Sequence, residues 1–491
     1  MGARGERAIS VANPAPGQGE RFCARQTRPG HYSNSMKYSS YKIFKDNRTA
    51  QEVFAGFKDD RLPFLLESSQ DVCGMGRYSF LGSDPFLVLS VKRDKSGSAL
   101  AILRELFRAY RLEGENKPSI PFLCGAVGFL SYDFGFSLER VKRKNKPDPI
   151  VPDVLFAFYD CVITLDHVRK EVTAFSSGFP EKGHLRRRRS RERLDEALEK
   201  LKNRKTQTIL SDKAFLKAEE ISSNFTKSRY MAAIRKVKEY IAAGDIYQVN
   251  LSQRLKSRLA IDDWLLYQRL VDKFPVPFSA FFRHEDFSIL SASPEKFLSY
   301  DGKIVATRPM KGTRKRARIR AADLKLKSQL IASPKEKAEL LMIVDLERND
   351  LGRVCDYGSI KVKHLRAIET YSSVFQATAE IQGSLHKTKD RFDLLRACFP
   401  GGSVTGCPKI RAMEIIEELE PDARSIYTGS LGFLSFHNTL EFNILIRTFL
   451  KKGDDIFFGV GGGIVTDSKP LAEYDETLVK ARALMEALTK G

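Results

Sequence analysis

The chain has 491 residues, 42% of them hydrophobic and 29% charged, with 33 Phe against one Trp and a formal net charge of +21. That composition excludes a disordered or fibrous chain and supplies a large core spread over roughly two to four domains, while no run of about 18 apolar residues exists to span a bilayer. Seven cysteines, odd in number and without a C-x-x-C pair, argue against a disulfide framework or a zinc site and point to a reducing, cytoplasmic setting.

In chain order, residues 1–36 are rich in Pro, Gly and Arg, lack apolar periodicity and read as a disordered extension. They contain no apolar h-region. Their Arg-rich, acid-poor character permits an organelle transit peptide, and translation from Met36 is the simpler alternative. From 37 to 180 short β-like runs such as FLVLSVKR (86–93) and VLFAFYDCVITLD (154–166) alternate with turn residues, marking an N-terminal region. Residues 181–224 are strongly charged, HLRRRRSRER followed by LDEALEKLKNRK, and read as a solvated linker helix. A catalytic region then spans 225–491.

Within it, apolar residues at Met231, Ile234, Val237 and Ile241 predict a helix stopped by Gly244, with IYQVNLSQRL following as a strand. The block 278–313 is β-rich. SPKEKAELLMIVDLERNDLGR (333–353) is a helix with Pro334 in its first turn and Gly352 near its end. YTGSLGFLSF and LEFNILIRTFLKK follow as strands, FFGVGGGIV as a strand entering a glycine turn, and LAEYDETLVKARALMEAL as a helix. Strands arriving in clusters between helices predict an α+β fold with a large antiparallel sheet, not a βαβ series.

Four features could carry chemistry. Glu339 lies on an otherwise apolar helix stretch, and a buried carboxylate needs a partner or a metal. Glu473, Glu476 and Lys480 fall on one helix face, either as a surface ladder or, with Glu339, as oxygen ligands for one Mg2+. Gly461, Gly462 and Gly463 allow backbone N–H groups to approach an anion. Glu295 precedes Lys311 by sixteen residues, and two β segments could bring this acid and this amine to one site. No recognition helix, zinc finger or aromatic-interleaved basic stretch accompanies the positive charge, so nucleic acid is not the expected partner.

The ordered motifs GDIYQVNLSQR (244–254), SASPEKF (291–297), PMKGT (309–313), KAELLMIVDLERNDLGR (337–353), FPGGSVTGCPKIRAMEII (399–416) and GVGGGIVTDSKPLAEYDETLVKA (459–481) resemble the chorismate-binding enzymes. That family includes the large components of anthranilate and aminodeoxychorismate synthases and the isochorismate and salicylate synthases. Upstream, GRYSFLG (76–82) and GAVGFLSYD (125–133) resemble the amino-terminal part of the first two. The resemblance implies a sandwich of antiparallel sheets with helices packed outside and a central cleft. It implies Mg2+ held by Glu339, Glu473 and Glu476, and chorismate contacted by Gln248, Gly312, Thr313, Tyr427, Arg447, Gly461, Gly462, Gly463 and Lys480.

Within the family, Gln248 stands where isochorismate-type members have a water-activating lysine. Anthranilate synthases resemble P-I-A-G-T where this chain has P-M-K-G-T, and the lysine is the mark of the aminodeoxychorismate synthase branch. The resemblance therefore implies Lys311 as nucleophile, Glu295 as general acid, and 4-amino-4-deoxychorismate for 4-aminobenzoate and folate as the outcome. It also implies ammonia from a separate glutamine amidotransferase, since no G-x-C-x-G-x-Q nucleophile motif is present. Anthranilate synthesis is the alternative within the family, and a basic scaffold that has lost the chemistry is the alternative outside it. Ser68, Pro277, Phe278 and Ser279 resemble a tryptophan-holding position; the P-F-S reading leans against a feedback role. Gln376 replaces a usual histidine, and Cys124 a usual glycine.

Overall fold

The computed structural model describes residues 9–12, 38–70, 75–94, 97–112, 117–139, 141–202, 221–371 and 374–489. Two large sheets dominate, and every strand pairing described is antiparallel. The first, of eleven strands, runs from Ile9–Ala12 through Leu87–Val91, Val154–Tyr159, Gly125–Leu130, Ser430–Ser435, Leu440–Asn443, Lys296–Tyr300, Ile304–Arg308 and Val374–Ser384 to Met310–Lys315, with Lys361–Thr370 also on Val374–Ser384. The second, of twelve, runs from Ser222–Ser223 through Gln248–Arg258, Asp455–Ile464, Thr448–Lys452, Ser288–Ser293, Phe278–Arg283, Phe64–Glu67, Tyr78–Gly82, Cys161–Asp166 and Glu171–Ser176 to Ser40–Lys45, with Gly406–Cys407 also on Gln248–Arg258.

The many phenylalanines hold the sheets face to face. Phe80 of the second sheet meets Phe433 of the first edge-on at 5.4 Å between ring centroids, and Phe64 meets Tyr159 at 4.6 Å. Each such buried ring contributes about 1.5–3 kcal/mol by leaving water, and offset or edge-on pairing adds to that. The expected α+β sandwich with helices outside is the fold observed.

Local expectations met the structure unevenly. The helix Pro334–Gly352 has its proline in the first turn, and the Ser333 side chain caps it by accepting the Glu336 N–H. By contrast, the regions 37–180 and 225–491 are not separate spatial units, because both sheets draw strands from each. Nor is the charged stretch after 181 wholly solvated. Gly183–Lys202 is a helix that buries Ser190, Leu194, Ala197 and Leu201 against the strands of the second sheet, since its apolar residues recur at helical spacing among the arginines. In the 1–36 extension, Ile9–Ala12 is a strand rather than disordered, pairing with the otherwise open edge at Leu87–Val91; the rest of that segment lies outside the described residues.

Two corrections shape the cleft. LEFNILIRTFLKK is not one strand but two, Leu440–Asn443 in the first sheet and Thr448–Lys452 in the second. The chain changes sheets at Arg447, whose φ of 51° breaks the extended run. Gly461–Gly463 is not a turn either: Asp455–Ile464 stays extended throughout, and none of these glycines has positive φ. Their missing side chains provide space, not a bend.

Candidate active site

The cleft forms where the last strand of the first sheet approaches the second sheet. Met310–Lys315 carries Lys311, and Asp455–Ile464 carries the three glycines. The helix Pro334–Gly352 packs against the first of these strands and presents Glu339, while the helix Pro470–Leu488 packs against the second and presents Glu473, Glu476 and Lys480. A methyl group placed on Gly463 would lie 3.2 Å from Lys311 Nζ, so only glycine lets the amine come this close to the strand. Gly312, at φ 84°, takes the backbone conformation that follows the lysine, and a side chain there would collide with Glu336. Thr313 donates to Gln376 Oε1 at 2.8 Å, and Arg314 pairs with Glu336 at 3.1 Å, so the turn carrying Lys311 is tied on both sides.

Desolvation is the largest influence on Lys311 and pushes its pKa below the ordinary lysine value, opposed by the charge of Glu339. Lys480 pushes the same way as burial, while Glu295 and Glu476 oppose it. A lysine so placed has a larger neutral fraction than one in water. Glu295 is 4% exposed, and burial pushes its carboxyl up to about 7 despite hydrogen bonds from Ser403 Oγ at 2.6 Å and the Met310 backbone. An acid that keeps its proton near neutral pH and an amine that can lose its own thus face one space.

Three further expected residues are of types suited to anions. Arg447 has no carboxylate partner among the described residues; it lies 5.4 Å from the Phe274 ring, and burial pushes its pKa down. A guanidinium without a carboxylate partner is a ready bidentate site for carboxylate. Tyr427 packs over Gly459, where a methyl group would overlap its ring, and burial pushes its hydroxyl up. Lys480 Nζ donates to the Gly461 carbonyl at 3.0 Å and pairs with Glu476 at 2.8 Å.

The three expected metal ligands share this space without forming a cluster. Among the described residues no three His, Cys, Asp or Glu side chains stand together as a metal site. Glu473 accepts from Ser468 at 2.6 Å, and Glu339 lies 3.8 Å from Lys335. Burial and the charges of Glu336 and Glu473 raise Glu339, with Lys311 and Lys335 opposing. Burial would raise Glu476 too, but Lys480 holds it below the ordinary carboxylate range. Glu339, Glu473 and Glu476 are nonetheless carboxylates from two helices, the donor type that a hard divalent cation takes.

The candidate tryptophan residues lie elsewhere. Ser68, Pro277, Phe278 and Ser279 line a separate small pocket with Glu67 and Phe433, and Ser68 Oγ donates to the Pro277 carbonyl at 2.9 Å. Sequence reasoning missed Ser403, Asn250 and Glu336. Ser403 lies in the quoted FPGGSVTG motif, where the paired glycines were the legible signal and the hydroxyl's reach to Glu295 was not.

Comparison with known proteins points the same way. The model of the chorismate binding enzyme family matches residues 65–486. Aminodeoxychorismate synthase component 1 of Bacillus subtilis (strain 168) is 38% identical over 443 residues, covering 86% of this chain and 91% of that protein. Anthranilate synthase component 1 of Geobacillus stearothermophilus is 35% identical over 482 residues, covering 92% and 93%. The crystal structure of anthranilate synthase component I from Streptococcus pneumoniae TIGR4 superposes with a TM-score of 0.70 at 26% identity, over 94% of this chain and 95% of that one.

Proposed function

The chain belongs to the chorismate-binding enzyme family, and from that premise we propose that it is the component of an aminodeoxychorismate synthase that converts chorismate and ammonia to 4-amino-4-deoxychorismate. The observation that carries this reading is Lys311: a desolvated amine beside the buried acid Glu295, in the motif position where anthranilate-forming relatives have alanine. The similarity to proteins of both names leaves the choice between products to this one side chain.

The steps follow from the chain's own groups. Arg447, Tyr427, Lys480 and the Gly461–Gly463 backbone hold the two carboxylates of chorismate, and the strand-borne amine meets carbon 2 of the ring. The neutral amine of Lys311 forms a bond to carbon 2 as both conjugated ring double bonds shift, to C1=C6 and C4=C5, and the 4-hydroxyl departs, taking the proton of Glu295 and leaving as water. Lys311 is then a secondary ammonium and Glu295 a carboxylate. Ammonia adds at carbon 4, both double bonds shift back, and the carbon 2–Nζ bond breaks with its electron pair returning to Lys311. The new ammonium passes one proton to Glu295, which restores both groups. Glu339, Glu473 and Glu476 would hold Mg2+, which supplies positive charge to a substrate carboxylate.

Ammonia comes from a glutamine amidotransferase subunit, and 4-aminobenzoate for folate forms on another protein. No described helix is long and apolar enough to cross a membrane, and a cytoplasmic setting suits these partners. The test is to incubate the purified chain with chorismate, ammonium and Mg2+ and to separate products by chromatography with mass detection, with and without an aminodeoxychorismate lyase. A product that yields 4-aminobenzoate only with the lyase supports the reading. Anthranilate as the product, or random-DNA binding without Mg2+-dependent turnover, would overturn it.

A further inference from the structure

The helix Pro334–Gly352 carries a second acid, Glu347, buried further along than Glu339. Its Oε2 lies 2.8 Å from Thr307 Oγ1, and the same hydroxyl lies 2.7 Å from the Phe297 carbonyl oxygen. Oxygens this close need a proton between them. A hydroxyl supplies one proton and a backbone carbonyl supplies none. The Thr307 proton therefore lies towards Phe297, and the proton in the other contact comes from Glu347. The strand register explains the demand of that carbonyl. Lys296 and Ser299 pair with Arg308 and Ala306 on one side, Lys296 and Leu298 with Asn443 and Phe442 on the other, and Phe297 has no partner in either register. Phe297 is thus a bulged residue, and Thr307, between Ala306 and Arg308, reaches it from the neighbouring strand.

The charges around Glu347 agree with a proton on it. Burial pushes its carboxyl far above the ordinary range, and the charges of Glu295 and Asp350 push the same way. A Thr307 hydroxyl donating to it would favour the ionised form, as the charge of Lys409 does. The Thr307 proton, however, is committed to Phe297, and Lys409 is bound to Asp350 at 2.5 Å and to the Cys398 carbonyl at 2.9 Å. An ionised Glu347 would be a buried charge without an ion pair, which is costly. Glu295 stands two residues before the bulge. Its backbone is held upstream, where its N–H donates to Ser293 Oγ at 3.3 Å and its carbonyl accepts from Ile444 at 3.0 Å. We propose that Glu347 is a positioning residue for Glu295: as a neutral acid it donates to Thr307, Thr307 donates to Phe297, and this chain fixes the bulge that aims the Glu295 side chain. This rests on the reading above, in which Glu295 protonates the departing hydroxyl. Glu347 itself moves no proton in the reaction.

The test compares Glu347→Gln, whose amide N–H can still donate to Thr307, with Glu347→Leu, which has no donor. Each protein is mixed with chorismate and Mg2+ without ammonia, and the rate of the covalent mass increase at Lys311 is followed. Glu347→Leu should form the adduct about tenfold more slowly at saturating chorismate, as for a displaced catalytic group. The dependence on chorismate concentration should be unchanged, and Glu347→Gln should react at the wild-type rate. Thr307→Val carries the expectation of Glu347→Leu and serves if that variant does not fold. The infrared difference spectrum between wild type and Glu347→Gln at pH 8 should show the carbonyl stretch of a protonated carboxyl. A carboxylate band in its place, Glu347→Gln as slow as Glu347→Leu, or wild-type rates in both Glu347→Leu and Thr307→Val overturns the proposal while leaving the lysine mechanism standing. Absence of the adduct on wild type defeats the mechanism itself, and the positioning role with it.

Discussion

Glu295 and Glu67 are both buried acids of the same kind of fold interior, and burial pushes each up to about 7. Their neighbours differ. Glu67 accepts from Tyr267 Oη at 2.8 Å and from Gln51, with Asp272 the only charge among the influences on it, and it faces the cavity lined by Pro277 and Phe433. Glu295 faces Lys311, beside a strand whose glycines leave open space and a Gln248 amide with no hydrogen-bond partner among the described residues. A raised acid alone therefore does not mark catalysis. What distinguishes the two regions is the presence, around Glu295, of groups that the protein itself leaves without partners.

The largest effect expected from that contrast is at Lys311. Lys311→Ala should lower formation of 4-amino-4-deoxychorismate on the order of 10³-fold or more, as expected for loss of a nucleophile, measured with chorismate and saturating ammonium. Unchanged turnover would make the lysine a bystander. Glu295→Gln should cost on the order of 10²–10⁴-fold, the range for a general acid. In the wild type, adduct formation should slow as pH rises through about 7, where Glu295 gives up its proton; rapid-quench rates from pH 5.5 to 8.5 report this.

Glu67→Gln should separate the regions by doing little to turnover and something to stability. The folded value near 7 lies above the ordinary 4.5, so the folded protein resists ionisation of this group. Its contribution is intact below about 4.5 and is lost as pH rises towards 7 and beyond. Removing the charge should stabilise the protein at pH 8 by on the order of 3 kcal/mol relative to wild type, read by denaturant melts at pH 5 and 8, with no gain at the lower pH. The smallest effect concerns tryptophan at the second cavity. Saturating tryptophan should change turnover by less than about twofold, below the range of ordinary allosteric couplings; calorimetric binding that slows turnover would contradict this.

The fold class was legible in the sequence, and so were several residues that the structure gathers around Lys311, for reasons particular residues make plain. Periodicity and the Ser333–Pro334 start located the helix that carries Glu339. Ordered motifs located Lys311, Glu295 and the glycines. What stayed hidden was set by tertiary contacts. Nothing local in LEFNILIRTFLKK says that the chain changes sheets at Arg447, because a left-handed arginine is selected by its surroundings. Glycines in Gly461–Gly463 suggest a turn, yet here they make a surface on which other side chains converge. The charged helix Gly183–Lys202 looked solvated because its buried face is narrow, four residues among many arginines. Gln248 was legible as a residue, but that both its polar atoms lie unpaired beside Lys311 is a property of the folded strands alone.

The account turns on the Lys311 amine, and one measurement addresses it most directly. The purified chain is incubated with chorismate and Mg2+ without ammonia, its intact mass is determined, and any adduct is mapped by peptide digestion. The account predicts an increase of chorismate less water on the peptide containing Lys311, discharged to 4-amino-4-deoxychorismate when ammonium is added. An unmodified protein that nonetheless makes product with ammonium, or a product that is anthranilate, would contradict it.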